Sequence, residues 1–260
     1  MSKMDDSAIG RIRALGKDGR VPSFAWLRGS FAVQKSADVY KSLNYGKTVI
    51  ETEDQLNQYL YSYGPMVQSQ WTYASKFLSL LSIDSATRWI DYGCGQGLAG
   101  LFLYEALGPT LFNQVSDVIL VEPSAMALCR AKAIYKALAP RSAVDGIRKS
   151  FSDLEKDELE REGARSTLHV FSNVLDINGY NHLKLLGDRL SPGKHVIIAV
   201  GNDRDFDGGS PNLQKLKTAV EHPKMASRIT VASSTLEQFK CDNRSEPAIV
   251  WHCELEVRDG

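Results

Sequence analysis

Short apolar runs separated by turn residues dominate the chain after residue 82. Runs of this kind are typical of strands that a parallel sheet buries on both faces, and apolar residues at helical spacing predict helices between them. Because the two patterns alternate, the sequence predicts an α/β domain. The expected strands cover residues 89–90, 118–121, 142–151, 167–174, 195–200, 228–233 and 248–257.

Helices are predicted in the segments that join these strands. Ser124 is suited to cap one of them, because its hydroxyl oxygen can accept from the free N–H groups of a first turn. The apolar side of that helix comprises Leu128, Ala131, Ile134, Tyr135 and Leu138. Further helices are expected at residues 154–162, 181–190 and 211–220, with a glycine- and aspartate-rich loop at 201–210.

The N-terminal part has a different pattern, which predicts an arm and helical cap at residues 1–82 before a Rossmann-like domain at 83–260. Residues 1–50 are polar and rich in glycine, which favours short helices or a mobile arm. Two helices are expected over 51–81, with a break at Gly64-Pro65, because a proline inside a helix removes a hydrogen bond.

Charge narrows the choice of partners only locally. The chain has 31 basic and 31 acidic residues, so its net charge gives no argument for binding nucleic acid or membrane. Up to Lys47, however, nine basic residues face four acidic ones. This basic arm either contacts phosphates, as in RNA, or is a solvated helix face; the solvated face is favoured.

The cysteines and the chain start indicate a cytoplasmic protein. Cys94, Cys129, Cys241 and Cys253 form no C-x-x-C pair, which argues against a zinc site or a disulfide framework. The start of the chain has no apolar core typical of a signal, and no apolar run is long enough to span a bilayer. We therefore expect a reducing compartment, no membrane and no metal.

The chemistry is concentrated in residues 87–100, TRWIDYGCGQGLAG, which read as a strand, a tight turn and a helix. Glycines at positions 93, 95 and 97 let a ligand approach the main chain closely. The next strand ends in Glu122, and an acid at that place is suited to accept both hydroxyls of a ribose. The pattern therefore predicts a nucleoside ligand.

Two glycine patterns overlap here. Gly95, Gly97 and Gly100 satisfy G-x-G-x-x-G, the dinucleotide fingerprint, but that frame places Asp91 inside a strand, where an unpaired carboxylate is costly. If the loop instead starts at Asp91, the pattern D-x-G-x-G-x-G resembles the first motif of class I S-adenosylmethionine-dependent methyltransferases. Glu122 then matches the ribose-binding acid of that family. We favour the methyltransferase over a nicotinamide-binding domain, and either over a turn that binds nothing.

The resemblance implies a role for each motif residue. Asp91 would serve the amino end of S-adenosylmethionine, the glycines would face its methionine part, and Glu122 would hold the sugar. Asp153 would accept from the adenine amino group, although an N-terminal helix cap is an equal alternative for it. The implied cofactor-binding residues are Asp91, Gly93, Cys94, Gly95, Gly97, Glu122, Pro123, Phe151, Asp153, Ser172 and Asn173.

The resemblance also implies the fold. We expect a seven-stranded, mostly parallel, doubly wound sheet whose final strand runs antiparallel between the fifth and sixth strands, plus the N-terminal helical extension. A nicotinamide domain does not predict that ending. The helix before the first strand would lie beside the cofactor, so its aromatic side chains either cover the pocket or form ordinary packing, which is favoured. These side chains are Tyr61, Tyr63, Trp71 and Tyr73.

The fourth strand end is where the methyl acceptor is expected. It has neither the N-P-P-Y nor the D-P-P-Y quartet of nucleobase amino methyltransferases, nor the Pro-Cys pair of cytosine carbon enzymes, so both classes are disfavoured. Asn173 and Asp176 are the candidates for orienting the acceptor, with Tyr180 and His182 behind them. The alternative is that Asn173 and Asp176 only stabilise a turn, which is favoured for Asp176.

The remaining histidines give no sign of chemistry. His169 lies within a predicted strand and is expected to be a hydrogen-bonded core residue. His195, His222 and His252 have no companions at ligand spacing.

The sequence thus predicts an S-adenosylmethionine-dependent methyltransferase whose acceptor is a small molecule, a protein or RNA. A chain that binds the cofactor without catalysis, as the partner or regulator of another protein, is the first alternative, because the fourth strand carries no recognisable catalytic signature. An NAD-dependent oxidoreductase is the second.

Overall fold

The computed structural model describes residues 7–31, 35–79, 86–155, 157–159, 164–175, 190–203, 210–242 and 247–258. Seven strands of these residues form one sheet. The strands are β1 (Thr87–Tyr92), β2 (Val115–Val121), β3 (Ala143–Ile147), β4 (Ser166–Ser172), β5 (Gly193–Asn202), β6 (Ile229–Lys240) and β7 (Pro247–Val257).

Helices precede the sheet and join its strands. Within the described residues they are α1 (Ala8–Lys17), α2 (Phe24–Ser30), α3 (Ala37–Ser42), α4 (Glu53–Leu78), α5 (Leu98–Leu107), α6 (Pro109–Phe112), α7 (Ala125–Leu138) and α8 (Ser210–Val220). The predicted cap of α7 is confirmed, because the Ser124 side chain accepts from the Ala127 amide at 3.1 Å.

The strand order is β3-β2-β1-β4-β5-β7-β6, which confirms the predicted sheet. The five strands β3, β2, β1, β4 and β5 run parallel to one another, and β7 runs antiparallel to both β5 and β6. The order reverses between β1 and β4, so the carboxyl ends of these strands flank the crevice where open α/β sheets bind ligands.

The two faces of the sheet bury separate apolar clusters. Successive side chains of a strand point to opposite faces, so Trp89 joins one cluster and Ile90 the other. The first cluster contains residues of α1, α2, α4, α5 and α7, and the second contains residues of α8. The N-terminal helices therefore share a core with the sheet.

The helix that precedes the sheet is continuous, so the predicted break at Gly64-Pro65 is wrong. Helix α4 runs for 26 residues with Pro65 inside it. A Cβ atom at Gly64 would lie 2.7 Å from the Phe24 ring, so α2 packs directly on this turn. Burial of one side of α4 against the core outweighs the single hydrogen bond that proline removes.

The segment after β3 also differs from the prediction. Residues 151–153 form a 3₁₀ turn, and the described residues of 154–159 form no helix. The predicted helix at 181–190 and most of the loop at 201–210 lie outside the described residues. No helix among the described residues is long and apolar enough to cross a membrane.

Candidate functional site

The turn after β1 has the backbone that its glycines predict. Gly93, Gly95 and Gly97 have φ values of 61°, 52° and 84°. A Cβ atom at Gly93 would lie 2.6 Å from a methyl carbon of Val174, so the loop passes directly against the segment after β4. A Cβ at Gly95 would have no heavy atom within 4 Å, which leaves the main chain there open to a ligand.

Glu122 lies at the end of β2, beside this turn. Its Oε2 accepts from the Gly95 amide at 3.0 Å, and its Oε1 accepts from the Ser124 amide at 2.9 Å. Burial raises the pKa of Glu122, and these two amides lower it. Each carboxylate oxygen keeps a second lone pair, so both can accept a further hydrogen bond.

Asp91 has different surroundings. It is the fifth residue of β1 and is fully buried, so the expectation that the loop starts at Asp91 is wrong. Its Oδ2 accepts from the Tyr135 hydroxyl at 2.7 Å, whereas its Oδ1 has no partner among the described residues. Burial raises its pKa to about 7, the Tyr135 bond opposes this, and the charge of Glu122 adds to it.

The third glycine of G-x-G-x-x-G has a packing role. A Cβ at Gly100 would lie 2.4 Å from Cζ of Tyr135, so only glycine leaves room for this ring between α5 and α7. The absence of a side chain at Gly100 therefore lets the Tyr135 hydroxyl reach Asp91.

A cleft of about 150 Å³ opens at the carboxyl ends of β1, β2 and β4. Gly93, Gly95, Glu122, Pro123, Ser172 and Asn173 line it, as the sequence predicts for a cofactor site. The lining does not include Asp91, Cys94, Gly97 or Asp153. The Phe151 side chain lies outside the described residues, as do Asp176, Tyr180 and His182.

A segment of the N-terminal arm, residues 46–50, covers one side of the cleft together with Tyr59. We call residues 46–50 the strap. The Ser124 hydroxyl donates to the Ile50 carbonyl at 2.5 Å and so connects the strap to the start of α7. Pockets for drug-sized ligands have volumes of roughly 300 Å³ or more. The cleft is therefore smaller than a typical pocket for a ligand of that size.

The aromatic side chains of α4 mostly pack rather than cover the cleft. Trp71 is buried and donates through Nε1 to the Ser172 hydroxyl at 2.9 Å, and Tyr73 stacks on Phe239 with ring centroids 4.0 Å apart. Tyr63 is buried, whereas Tyr61 is 40% exposed. The predicted packing is thus confirmed for the three residues other than Tyr61.

Three amide side chains meet at the ends of β4 and β5. Asn173 has a positive φ of 54° and donates to Oε1 of Gln70 at 2.8 Å. Gln70 in turn donates to Oδ1 of Asn173 and to Oδ1 of Asn202, both at 3.3 Å. Helix α4 therefore fixes the side chain that the sequence marks as an acceptor-orienting candidate.

Asp153 lies beside the cleft and is exposed. Its carboxylate accepts from the hydroxyls of Ser150 at 2.5 Å and Ser152 at 3.4 Å. Because no helix follows it in the described residues, it is not the N-terminal helix cap that the sequence allowed.

Arg130, which is not among the predicted site residues, joins the loop to the N-terminal helices. Its guanidinium is buried and donates to Oε1 of Gln96 at 3.0 Å and to Oδ1 of Asn57 at 2.8 Å. Burial lowers its pKa to about 10, and Glu53 at 3.7 Å opposes this. The one sequence feature that could have indicated this network is a single arginine on the apolar side of α7.

The prediction that His169 is a hydrogen-bonded core residue is confirmed, and one of its partners is His195. His195 Nε2 donates to the Ser191 carbonyl at 2.7 Å, so its Nδ1 accepts from Nε2 of His169 at 2.9 Å. His169 Nδ1 then accepts from the Tyr92 hydroxyl at 3.0 Å. This order makes both rings neutral, in agreement with the lowered pKa values that burial produces.

The strand order and the glycine loop define an α/β protein with the seven-stranded sheet that the resemblance to class I methyltransferases implies. No protein-family model matches the chain, and no curated protein matches it.

Solved structures of similar shape include an rRNA methylase from Streptococcus thermophilus, which is 15% identical in sequence. The alignment covers 73% of this chain and 97% of the methylase, with a TM-score of 0.44. The N-methyltransferase NodS from Bradyrhizobium japonicum is 13% identical, with coverages of 74% and 97% and a TM-score of 0.46. The plantazolicin methyltransferase BpumL, in complex with SAH, is 11% identical, with coverages of 97% and 100% and a TM-score of 0.45. Because identities and scores of this size carry no argument, the fold assignment rests on the strand order.

Proposed function

We propose that this chain is an S-adenosylmethionine-dependent methyltransferase that binds the cofactor in the cleft beside Glu122. The observation that carries the proposal is the position of this carboxylate. It lies at the end of the strand next to the glycine loop, and two backbone amides orient its oxygens. Both oxygens can still accept, which suits the two hydroxyls of a ribose.

The neighbouring residues fit the rest of such a ligand. Gly95 leaves the loop backbone open, which suits the methionine part. Ser150 and Ser152 line the side of the cleft nearest β3 and offer hydroxyls to a base. The antiparallel β7 supports this cofactor over NAD, since dinucleotide-binding sheets have the order 3-2-1-4-5-6 without such a strand.

The bound cofactor would supply an electrophilic methyl group on its sulfonium, and transfer of that methyl to an acceptor in line with the carbon–sulfur bond would leave the neutral thioether S-adenosylhomocysteine. The chain has to orient the acceptor and exclude water. Ser172 and Asn173 line the cleft at the end of β4. We propose Asn173 and Asp176, the latter outside the described residues, as the groups that orient the acceptor. Burial raises the pKa of Cys94 well above its usual range, so this thiol is not a nucleophile at neutral pH.

One observation favours a second candidate, a chain that binds the cofactor without catalysis. The Asn173 amide is held by hydrogen bonds in both directions with Gln70, which ties up the group proposed to orient an acceptor. This alternative predicts cofactor binding but no methylated product, and a partner protein that contributes the acceptor site. For either candidate we propose a reducing, cytoplasmic location, since all four cysteines are free.

Thermal unfolding with S-adenosylmethionine, S-adenosylhomocysteine and NAD tests the cofactor. A ligand at about 100 times its dissociation constant stabilises by about 2.7 kcal/mol, which corresponds to a rise of roughly 5–10 °C for a chain of this size. We expect this rise with both sulfur compounds and none with NAD. A rise with NAD alone would contradict the proposal.

Transfer of labelled methyl groups to RNA, protein and small-molecule pools then separates the two candidates. Labelled product in one pool identifies the acceptor class. Binding without product in any pool favours the non-catalytic alternative.

A further inference from the structure

A second groove lies between α1 and α7, with a volume of about 700 Å³. Small residues let the two helices approach closely at its floor. A Cβ at Gly16 would lie 3.4 Å from the Cβ of Ala137, which is ordinary van der Waals contact. We call this feature the α1–α7 groove. It is separate from the cleft, and the proposed cofactor leaves it unexplained.

Four cations line the α1–α7 groove: Arg13 and Lys17 on α1, and Lys132 and Lys136 on α7. No acidic side chain is among the lining residues, and none of the four cations has an ion-pair partner among the described residues. Since the whole chain has no net charge, this is a local concentration of positive charge.

The spacing of the charges repeats on both walls. Each helix carries its two cations four residues apart, which places them on the same face at a rise of about 6 Å. That rise is close to two steps of about 3.4 Å, the axial spacing of phosphates along one strand of a duplex. The groove therefore presents two pairs of cations, one from each wall, to a regularly charged chain.

We propose that the α1–α7 groove binds the phosphodiester backbone of a nucleic acid strand. The groove is concave, and its described lining offers only small apolar groups from alanine, proline and cysteine residues, so it lacks the large apolar side chains that would enter a bilayer. A nucleic acid strand does not need large apolar side chains, because lysine binds phosphates as a point charge and arginine binds them as a bidentate donor.

The groove also shares an element with the cleft. Helix α7 begins next to Ser124, whose amide contacts Glu122, and Lys132 follows about 12 Å further along the helix axis. If the proposed function holds, a strand in the groove would place nearby nucleotides close to the cleft, which would make nucleic acid the acceptor class. Binding in the groove itself does not depend on the cofactor.

The test is the salt dependence of binding to a fluorescent single strand of about 20 nucleotides, measured by anisotropy between about 50 and 200 mM salt. Each phosphate contact contributes about 0.7 to the slope of log affinity against log salt for single strands. We expect the double variant Lys132→Gln, Lys136→Gln to lower this slope by about 1.4 and to weaken binding at least about tenfold at low salt.

The matched control is Lys215→Gln, Lys224→Gln, which removes the same charge from exposed lysines beside α8, on the other face of the sheet. We expect this control to bind as the unaltered chain does, with circular dichroism showing that both variants fold. Equal losses in both double variants, or no binding by the unaltered chain, would overturn the proposal. So would displacement of the strand by polyglutamate as effectively as by unlabelled strand.

Glu122→Ala separates this proposal from the proposed function. We expect Glu122→Ala to bind the strand with unchanged affinity and salt slope in the absence of cofactor. A loss of strand binding in Glu122→Ala would contradict a separate groove. Failure of S-adenosylmethionine to bind the unaltered chain would contradict the proposed function alone.

Discussion

Two carboxylates near the glycine loop, Asp91 beneath it and Glu122 at the cleft, occupy regions of opposite character. Asp91 is fully buried and has one bonded oxygen, whereas Glu122 has both oxygens bonded by backbone amides and lines the cleft. The sequence motif assigns both to one ligand. The structure places only Glu122 where a ligand can reach it, so we infer that the two acids have different tasks.

Asp91 and Glu122 also differ in how their surroundings affect their pKa values. Burial raises the pKa of both groups, but only Glu122 has two backbone N–H donors that stabilise its ionised form. Asp91 has a single hydroxyl donor and reaches a pKa of about 7. We therefore expect Asp91 to affect stability as a function of pH, and Glu122 to affect binding.

The largest expected effect is on the pH dependence of stability in Asp91→Asn. The folded pKa of about 7 lies above the ordinary 3.8, so the folded chain binds this proton more tightly than the unfolded chain does. The stabilisation is therefore fully present below the ordinary pKa and is lost as pH rises through about 7. Its full size is about 4 kcal/mol, of which about 2.5 kcal/mol falls between about pH 5 and pH 8.

Urea unfolding of Asp91→Asn and of the unaltered chain, at about pH 5 and pH 8, measures how the free energy of unfolding depends on pH. The variant should gain about 2.5 kcal/mol relative to the unaltered chain on going from about pH 5 to pH 8. His169 and His195, whose lowered pKa values act in the opposite sense, are present in both chains and cancel in the difference. Parallel pH dependences would show that Asp91 is ionised normally, and the contrast with Glu122 would fail.

The second effect is the loss of cofactor binding in Glu122→Ala. Removal of a charged acceptor from two hydroxyls should weaken binding of S-adenosylhomocysteine about fiftyfold, or about 2.3 kcal/mol, as measured by calorimetry. Asp91→Asn should stay within about threefold of the unaltered chain at a pH where it is folded. Equal losses in the two variants would restore the role that the resemblance implies for Asp91.

The third effect comes from Tyr135→Phe, which removes the only described donor to Asp91. A hydrogen bond to a charged group contributes about 1.5–3 kcal/mol, so we expect a destabilisation of about 2 kcal/mol at pH 8 and less at pH 5, where Asp91 is largely protonated. Tyr104→Phe is the control, since Tyr104 contacts Phe112 through its ring. A loss in Tyr135→Phe no larger than in Tyr104→Phe would remove Tyr135 as the partner of Asp91.

Local patterns account for what the sequence predicted correctly. Glycines at 93, 95 and 97 fix a turn because each of these three has positive φ, and Ser124 fixes the start of α7 through one short-range hydrogen bond. The place of Glu122 follows from strand register, since Asp91 pairs with Leu120 and Tyr92 with Val121.

The errors share a cause, which is contact between residues distant in sequence. Pro65 is tolerated because Phe24 packs on the turn before it, and Asp91 is tolerated inside β1 because Tyr135 reaches it across α5. The Arg130 network and the strap at 46–50 likewise join segments that no periodicity relates. Tertiary contacts override local propensity in each case.

The smallest expected effect, in Asp153→Ala, extends the comparison to a third carboxylate. Asp153 is exposed, accepts only from neighbouring serines among the described residues, and does not line the cleft. We expect a change in stability below about 0.5 kcal/mol and less than threefold in the affinity for S-adenosylhomocysteine. Ser152→Ala, which alters a residue that does line the cleft, is the companion variant. If Asp153→Ala weakens binding more than about tenfold, the acid contacts the adenine as the resemblance implies, although it does not line the cleft of the described structure.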